Sequence, residues 1–273
     1  MDTLFIGQNI IKLDSVDSTN DYANKLLSQE LDRPLVHSRF KREGRNVFDG
    51  TVVYALSQRT GRGQRGNRWE SEPYKNLTFS IVLYPIFIRA EEQFMLSKVV
   101  SLGICDYVNS VVTNPALNNF EYGVKIKWPN DINIGDEKVA GILIENSIRS
   151  NEITHSVIGV GVNVNQTRFS SDIPNPTSIK LITGENFDLE ICLSELCSCI
   201  EARYLQLKSG KKEEISNDYL KVLYWYQQMS IYEINGNKFT AIMTGISDQG
   251  KLILEKEDGG IIECNFEEVS FVE

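Results

Sequence analysis

Apolar positions along the chain recur in two rhythms, steps of two in some stretches and steps of three and four in others, and the two rhythms predict strands and helices respectively. IIKLDSV, closing at Val16, reads as a strand. Asp17-Ser18-Thr19-Asn20 then supplies N-cap chemistry for an amphipathic helix through Tyr22, Ala23, Leu26 and Leu27. TVVYALSQ, residues 51–58, is a buried strand that runs into GRGQRGNRW, residues 61–69, and NLTFSIVLYP, residues 76–85, is the strand that leaves that loop. From Glu91 to Val112, Phe94, Met95, Val99, Leu102, Val108 and Val111 keep helical spacing on a face broad enough for deep burial. Residues 122–148 read as three short strands around the Trp128-Pro129-Asn130-Asp131 and Gly135-Asp136 turns. Residues 154–166 read as a fourth, giving an antiparallel meander. Leu189, Leu193, Leu196, Ile200, Tyr204 and Leu207 mark another amphipathic helix, and a weaker helical stretch follows around Asp218 to Tyr226.

After about Met229 the rhythm changes to short alternating strands separated by glycine turns at Asn235-Gly236, Asp248-Gln249-Gly250 and Asp258-Gly259-Gly260. The pattern predicts an α+β main domain, residues 1–228, in which helices cover one side of a mixed, mostly antiparallel sheet. A small β-barrel over residues 229–273 follows it.

Composition adds location and polarity. The first residues lack a basic stretch followed by an apolar one, and the longest apolar clusters fall short of the roughly 20 residues of a spanning helix. A cytoplasmic protein without a membrane segment is expected. The five cysteines (Cys105, Cys192, Cys197, Cys199, Cys264) lie mostly within apolar periodic segments, which fits reduced core thiols better than disulfides. Cys197 and Cys199 would point to opposite sides of a helix, and only His37 and His155 are present as nitrogen ligands, so no protein-only metal cage is expected. The net charge is −9, yet residues 39–68 hold eight basic residues against two acidic ones and carry +6, leaving −15 for the rest. An acidic chain with one basic window suits a small phosphorylated ligand better than nucleic acid.

Three stretches carry candidate chemistry. In the loop, Gly61, Gly63 and Gly66 permit close backbone approach or positive φ, and Arg62, Arg65 and Arg68 offer forked donors to a carboxylate or phosphate. A solvated turn is the plain alternative. Its Gly61 to Gly66 spacing imitates a phosphate loop, but Asn67-Arg68 stand where Lys-Ser/Thr is required. Trp69 is either a core anchor or a surface for a stacked base. In KWPND, Lys125 and Lys127 share one strand face opposite Ile126, and Pro129 fixes the direction of Asn130 and Asp131. A lysine held by that turn suits the charge that builds when a carboxylate attacks a phosphate, whereas a cross-strand ion pair needs no ligand. In GVGVNVNQ, Gly159, Gly161, Asn163 and Asn165 share a face against which either a flat ligand or another backbone segment could lie.

Taken in order, Ser18-Thr19-Asn20, Gln58 with GRGQRG and Trp69, KWPND at 127–131, KVAGIL at 138–143 and GVGVNVN at 159–165 resemble the biotin protein ligase family over nearly the whole chain. The resemblance implies a catalytic domain like that of class II synthetases and an SH3-like C-terminal domain, in the monofunctional form without a DNA-binding domain. It implies that ATP, with Mg²⁺ on its phosphates, activates biotin to biotinyl-5′-adenylate. The biotinyl group then passes to one lysine of a biotin carboxyl carrier protein, and homodimers are common in the family. By similarity, Ser18, Thr19 and Gln58 bind the ureido head, with Asn20, Gly61, Gly63, Gln64, Gly141, Gly159 and Gly161 around biotin. Arg62 and Lys127 hold its carboxylate and the α-phosphate as the catalytic pair. Trp69 and Asn163 take the adenine, Gly63 also serves ATP, and Asn130 and Asp131 serve the phosphates, Mg²⁺ or the incoming lysine. Gln64 departs from the arginine common at the fourth place of that loop. A lipoate or octanoate ligase or transferase is the alternative, followed by a non-catalytic biotin sensor and a nucleic-acid-binding module.

Overall fold

The computed structural model describes residues 2–31, 47–113 and 123–272. His37 and the Arg39, Lys41, Arg42 and Arg45 part of the basic window lie outside them. The β-branched and aromatic runs form β1 (Ile10–Leu13), β2 (Thr51–Ala55), β3 (Leu77–Leu83), β4 (Val124–Lys127), β5 (Asp131–Ile134), β6 (Glu137–Arg149) and β7 (Glu152–Val162). They make one seven-stranded sheet in the order β1-β2-β3-β7-β6-β5-β4, in which only β1 and β2 pair in parallel. The expected meander is β4 through β7. Its register sets Gly161 beside Thr78 on one side and Gly141 on the other, and Gly159 beside Ser80 and Leu143, so the glycines of β6 and β7 cluster mid-sheet.

Every residue of β2 and β3 is buried. That pattern requires cover on both faces, and it corrects the expectation that helices lie on one side only. Helix α1 (Thr19–Leu31) packs Ala23 and Leu27 on Val53, Val82 and Val157. On the other face α2 (Phe94–Val112) and α4 (Leu189–Lys208) cover the sheet in one core with Tyr54, Phe79, Ile81 and Ile158, and α5 (Lys212–Lys221) packs on those two helices. Each such aliphatic side chain contributes about 1.5–3 kcal/mol when removed from water. The apolar rhythm revealed both stripes, but not that α1 would take the face opposite the others. The span Ala90–Val112 is long and apolar enough to cross a membrane by length and composition, a point the search for apolar clusters missed. Its most apolar window is 78% buried within this protein, as befits a core helix.

Two helical expectations shift. The weaker helix lies at Lys212–Lys221 rather than Asp218 to Tyr226. Beyond it Trp225 and Gln227 adopt positive φ, and Leu223 bridges Ile126 of β4. A short helix α3 (Ile179–Thr183), capped by the Ser178 hydroxyl and closed by Gly184 at φ +80°, was not expected. All five cysteines are free thiols.

The C-terminal strands β8 (Met229–Ile234), β9 (Asn237–Ile246), β10 (Leu252–Lys256), β11 (Ile261–Cys264) and β12 (Ser270–Phe271) form a second, antiparallel sheet ordered β11-β10-β9-β8-β12, compatible with an SH3-like domain. It docks on the main domain through several contacts, among them Trp225 against Tyr232 and Phe271 and a backbone bridge between Tyr226 and Met243. The Trp128 indole donates to Gly250 O at 2.9 Å, and Phe266 packs 5.1 Å from Trp128 and 6.2 Å from Phe94, centroid to centroid. Gly250 sits at φ +87°, and a Cβ there would lie 2.5 Å from the Phe94 ring, so only glycine fits.

Candidate functional site

The GRGQRGNRW stretch leaves β2 and returns toward β3 as a tied hairpin rather than a loose loop. Gly63 N donates to Asn67 O, Asn67 N to Gln64 O and Trp69 N to Gly61 O, with Arg62 and Arg68 forming a bridge. Gly61 is required by crowding, because a Cβ there would meet Trp69 O at 2.4 Å. Gly66 is required by its φ of +75°. The hairpin lays Trp69 across the glycine face of the sheet, where a Cβ on Gly161 would fall 2.3 Å from the indole and one on Gly141 3.0 Å. A Cβ on Gly159 would likewise fall 2.5 Å from Asn20 Oδ1. Close packing by protein groups, rather than a bare ledge for a ligand, therefore explains the absent side chains.

Under the hairpin lies a cavity of about 490 Å³. Its walls include Ser18, Thr19, Asn20, Gln58, Arg62, Gly63, Gln64, Trp69, Lys127, Asn130, Asp131, Gly141, Gly159 and Gly161. Of the residues expected at a site, these fourteen converge. Two do not line the cavity. Gly61 stands at the hairpin base, and Asn163 is buried behind β7, its Nδ2 donating to Thr177 O at 2.9 Å and its Oδ1 left without a donor.

Polar groups at the inner end are held by one another. Gln58 Oε1 accepts from Thr19 N at 2.8 Å and Thr19 Oγ1 at 3.2 Å, while the Ser80 hydroxyl donates to Asn20 Oδ1 at 2.6 Å and lies 2.8 Å from Thr19 Oγ1. Ser18, Thr19 and Asn20 are each at most 4% exposed; the web fixes the directions of Thr19 and Asn20, and the Ser18 hydroxyl accepts from Asp21 N at 3.4 Å. Asn20 Nδ2 also donates to Glu145 Oε2 at 2.9 Å.

Arg62, Arg68, Lys127 and Lys138 line the cavity, and three of these cations have distinct settings. Arg62 spans Asp21 Oδ1 at 2.5 Å and Glu145 Oε1 at 2.8 Å. Desolvation works against its charge, but the two carboxylates outweigh it and the guanidinium pKa is raised. Lys138 pairs with Asp131 Oδ1 at 2.7 Å and stands 5.8 Å from the Trp69 ring centre. The Lys127 ammonium lies 5.6 Å from the Tyr224 ring centre and 5.5 Å from that of Phe271. Lys125 and Lys127 share the less buried face of β4 as the alternation required. Asn130 is stitched to β6, its Nδ2 donating to Ile142 O at 2.8 Å and its O accepting from Ile142 N at 3.0 Å. Among the described residues, Trp69 Nε1 is buried with no acceptor.

Sequence reasoning missed several members of this site. Lys138 stood in the KVAGIL stretch without a role, and its pairing with Asp131 follows from the β5–β6 register, where Asn133 lies beside Lys138 and Asp131 beside Gly141. Ser80, Asp21 and Glu145 act behind the wall, and no local pattern marks them. Phe266, Val269, Ser270 and Phe271 reach the cavity from the second sheet, which only tertiary packing reveals.

The model of the biotin/lipoate A/B protein ligase family matches residues 13–163. The Bacillus spizizenii bifunctional ligase/repressor BirA is 28% identical over 271 residues, spanning 94% of this chain and 72% of that protein. The biotin--[acetyl-CoA-carboxylase] ligase of Paracoccus denitrificans is 30% identical over 211 residues, spanning 76% of this chain and 85% of that one. Among solved structures, biotin protein ligase from Aquifex aeolicus in complex with biotin and ATP superposes with a TM-score of 0.74 at 25% identity, covering 97% of this chain and 99% of that one.

Proposed function

The chain belongs to the biotin/lipoate A/B protein ligase family, and from that premise we propose how its cavity serves a biotin protein ligase, which uses ATP to activate biotin and attach it to protein. The relatives carry biotin ligase names, so the lipoate alternative loses its ground. The observation that carries the reading is the convergence of Arg62 and Lys127 on one cavity also lined by the densely hydrogen-bonded Thr19, Asn20 and Gln58.

Biotin's ureido head is neutral and takes up both donors and acceptors, which suits the Ser18, Thr19 and Gln58 end. Its carboxylate then extends toward the cations. A carboxylate oxygen attacks the α-phosphorus of ATP as the bond to pyrophosphate breaks, giving the acyl adenylate. Arg62 and Lys127 offset the charge that accumulates at that junction. In the second half the amine of a carrier lysine attacks the acyl carbon, AMP leaves with the C–O bond electrons, and the nitrogen loses its proton. Trp69 offers the adenine an aromatic face and a buried N–H without another acceptor.

Asp131, with Asn130 beside it, presents the hard oxygen donors that Mg²⁺ takes, and the ion would arrive on the ATP phosphates and neutralise part of their charge. The acceptor is a carboxylase carrier domain with an exposed lysine. Asn163 is assigned a supporting place behind β7 rather than direct contact with adenine. A boundary between domains near Met229, a homodimer and a cytoplasmic location complete the reading. Incubation with ATP, Mg²⁺, biotin and a carrier domain tests it: the carrier gains the mass of one biotinyl group, and an unchanged carrier mass together with no biotin-dependent pyrophosphate exchange overturns it.

A further inference from the structure

We propose that Lys138 is a built-in counter-cation that shares Asp131 with the metal ion of ATP, and so sets how strongly the cavity prefers metal-bearing ATP over the bare nucleotide. Lys138 Nζ lies 2.7 Å from Asp131 Oδ1, the two side chains are 31% and 27% exposed, and both line the cavity. Asp131 Oδ1 is itself withdrawn from solvent, and among the described residues no hydrogen bond is directed at it. The contact with the ammonium is therefore one of charge and distance, without an aimed N–H. A carboxylate oxygen out of solvent is unfavourable unless its charge is offset, and Lys138 supplies that offset. The lysine backbone is pinned, its N–H donating to Asn175 O at 2.7 Å and its O accepting from Thr177 N at 2.9 Å. Only the four-carbon stem is left to move. A Cβ on Gly141 would fall 3.4 Å from Lys138 Cε, so the stem passes beside that glycine, and the ammonium stands 5.8 Å from the Trp69 ring centre. The ammonium can leave the carboxylate and keep an attractive ring beside it.

The donor chemistry around the pair suits a hard cation. Asn130 uses its Nδ2 on Ile142 O, which turns the amide so that Oδ1 is the atom left to accept, next to the Asp131 carboxylate. Carboxylate and amide oxygens are what Mg²⁺ takes, and a doubly charged ion at Asp131 competes with a singly charged ammonium. Bare ATP carries more negative charge than metal-bearing ATP, so the two forms respond in opposite ways to the charge they meet. An Asp131 without its lysine repels the bare triphosphate and attracts the metal. A Lys138 without its carboxylate attracts the bare triphosphate and repels the metal. Paired, the two charges hold these preferences in balance, and Lys138, once exchanged for the metal, is released toward phosphate oxygens.

The inference rests on the reading that Asp131 meets the metal ion of ATP, and the experiment separates the two. Titration calorimetry on the full-length protein with biotin present measures the Kd of α,β-methylene-ATP, whose α–β linkage cannot be cleaved, once with excess Mg²⁺ and once with EDTA. The ratio of the two constants is the preference for the metal-bearing nucleotide. The variants are Lys138→Met, Lys138→Gln, Lys138→Arg and Asp131→Asn, with melting temperature as the folding control, and Lys138→Gln carries the test if the methionine variant folds poorly. The preference should widen by about fivefold in Lys138→Met and Lys138→Gln, the scale of a part-exposed ion pair, stay parental in Lys138→Arg and narrow in Asp131→Asn. A parental preference in both neutral Lys138 variants, alongside a narrowed one in Asp131→Asn, overturns the role of Lys138 alone. A parental preference in Asp131→Asn overturns both that role and the placement of the metal at Asp131. The ligase reading itself stands or falls separately, on the mass gained by the carrier.

Discussion

Arg62 and Lys127 face the same cavity from different elements and with different neighbours around them. Arg62 is braced by the carboxylates of Asp21 and Glu145, whereas the Lys127 ammonium has the rings of Tyr224 and Phe271 within 5.6 Å. A guanidinium held by carboxylates must exchange partners when an anionic ligand arrives, and its side chain, 42% exposed, has room to do so. The guanidinium is therefore suited to capture.

Removing the Lys127 ammonium should have the largest effect. Lys127→Met should lower the rate of adenylate formation by about 10²–10³, the usual consequence of removing a donor at a developing charge. Single-turnover kinetics reads this directly, and a loss under threefold would remove Lys127 from the chemistry. Next comes the surface both cations share. Gly161→Ala places a methyl group within the Trp69 indole, so the hairpin must lift, lowering stability by about 1–3 kcal/mol and raising the KM for ATP. Melting curves and steady-state kinetics check it, and a variant with parental values in both would mean that the ring is not seated there.

On the capturing side the effects should be smaller. Gln64→Arg adds a forked, charged donor at the cavity wall and should slow escape of the adenylate by about tenfold, the scale of one charge-assisted hydrogen bond. Release measured by a trapping assay at an unchanged rate would deny Gln64 that role. Asp21→Asn should have the least effect. Its pair with Arg62 is half exposed, and exposed pairs contribute about 0.2–1 kcal/mol, so the KM for biotin should fall by less than about fivefold as the guanidinium is freed. Titration calorimetry with biotin measures this, and weaker binding would mean that Asp21 aims the guanidinium rather than competes for it.

Much of this site was legible in the sequence because short motifs carry their own geometry. Strand alternation placed Lys127 correctly on its face, and Pro129 marked the turn that brings Asn130 and Asp131 beside it. The glycines of β7 were visible, but their reason was not. Only the register of β7 between β3 and β6, and the return of the hairpin, show that Asn20 and Trp69 fill the space. Asn163 looked equivalent to its neighbours by alternation, yet the chain leaves the sheet after Val162, and its amide turns inward to Thr177. The partners of the cations were the least legible. Glu145 lies 83 residues from Arg62, and Phe271 joins Lys127 through the docking of a second sheet, so no local pattern encodes either contact.

The most direct measurement is a crystal structure with a non-hydrolysable biotinyl-adenylate analogue in the cavity. The account predicts that the linkage between the biotinyl and adenosyl parts lies within hydrogen-bond reach of both Lys127 Nζ and the Arg62 guanidinium, with Arg62 drawn away from Asp21. An analogue bound with Arg62 still on Asp21 and Lys127 beyond reach of the linkage would contradict it.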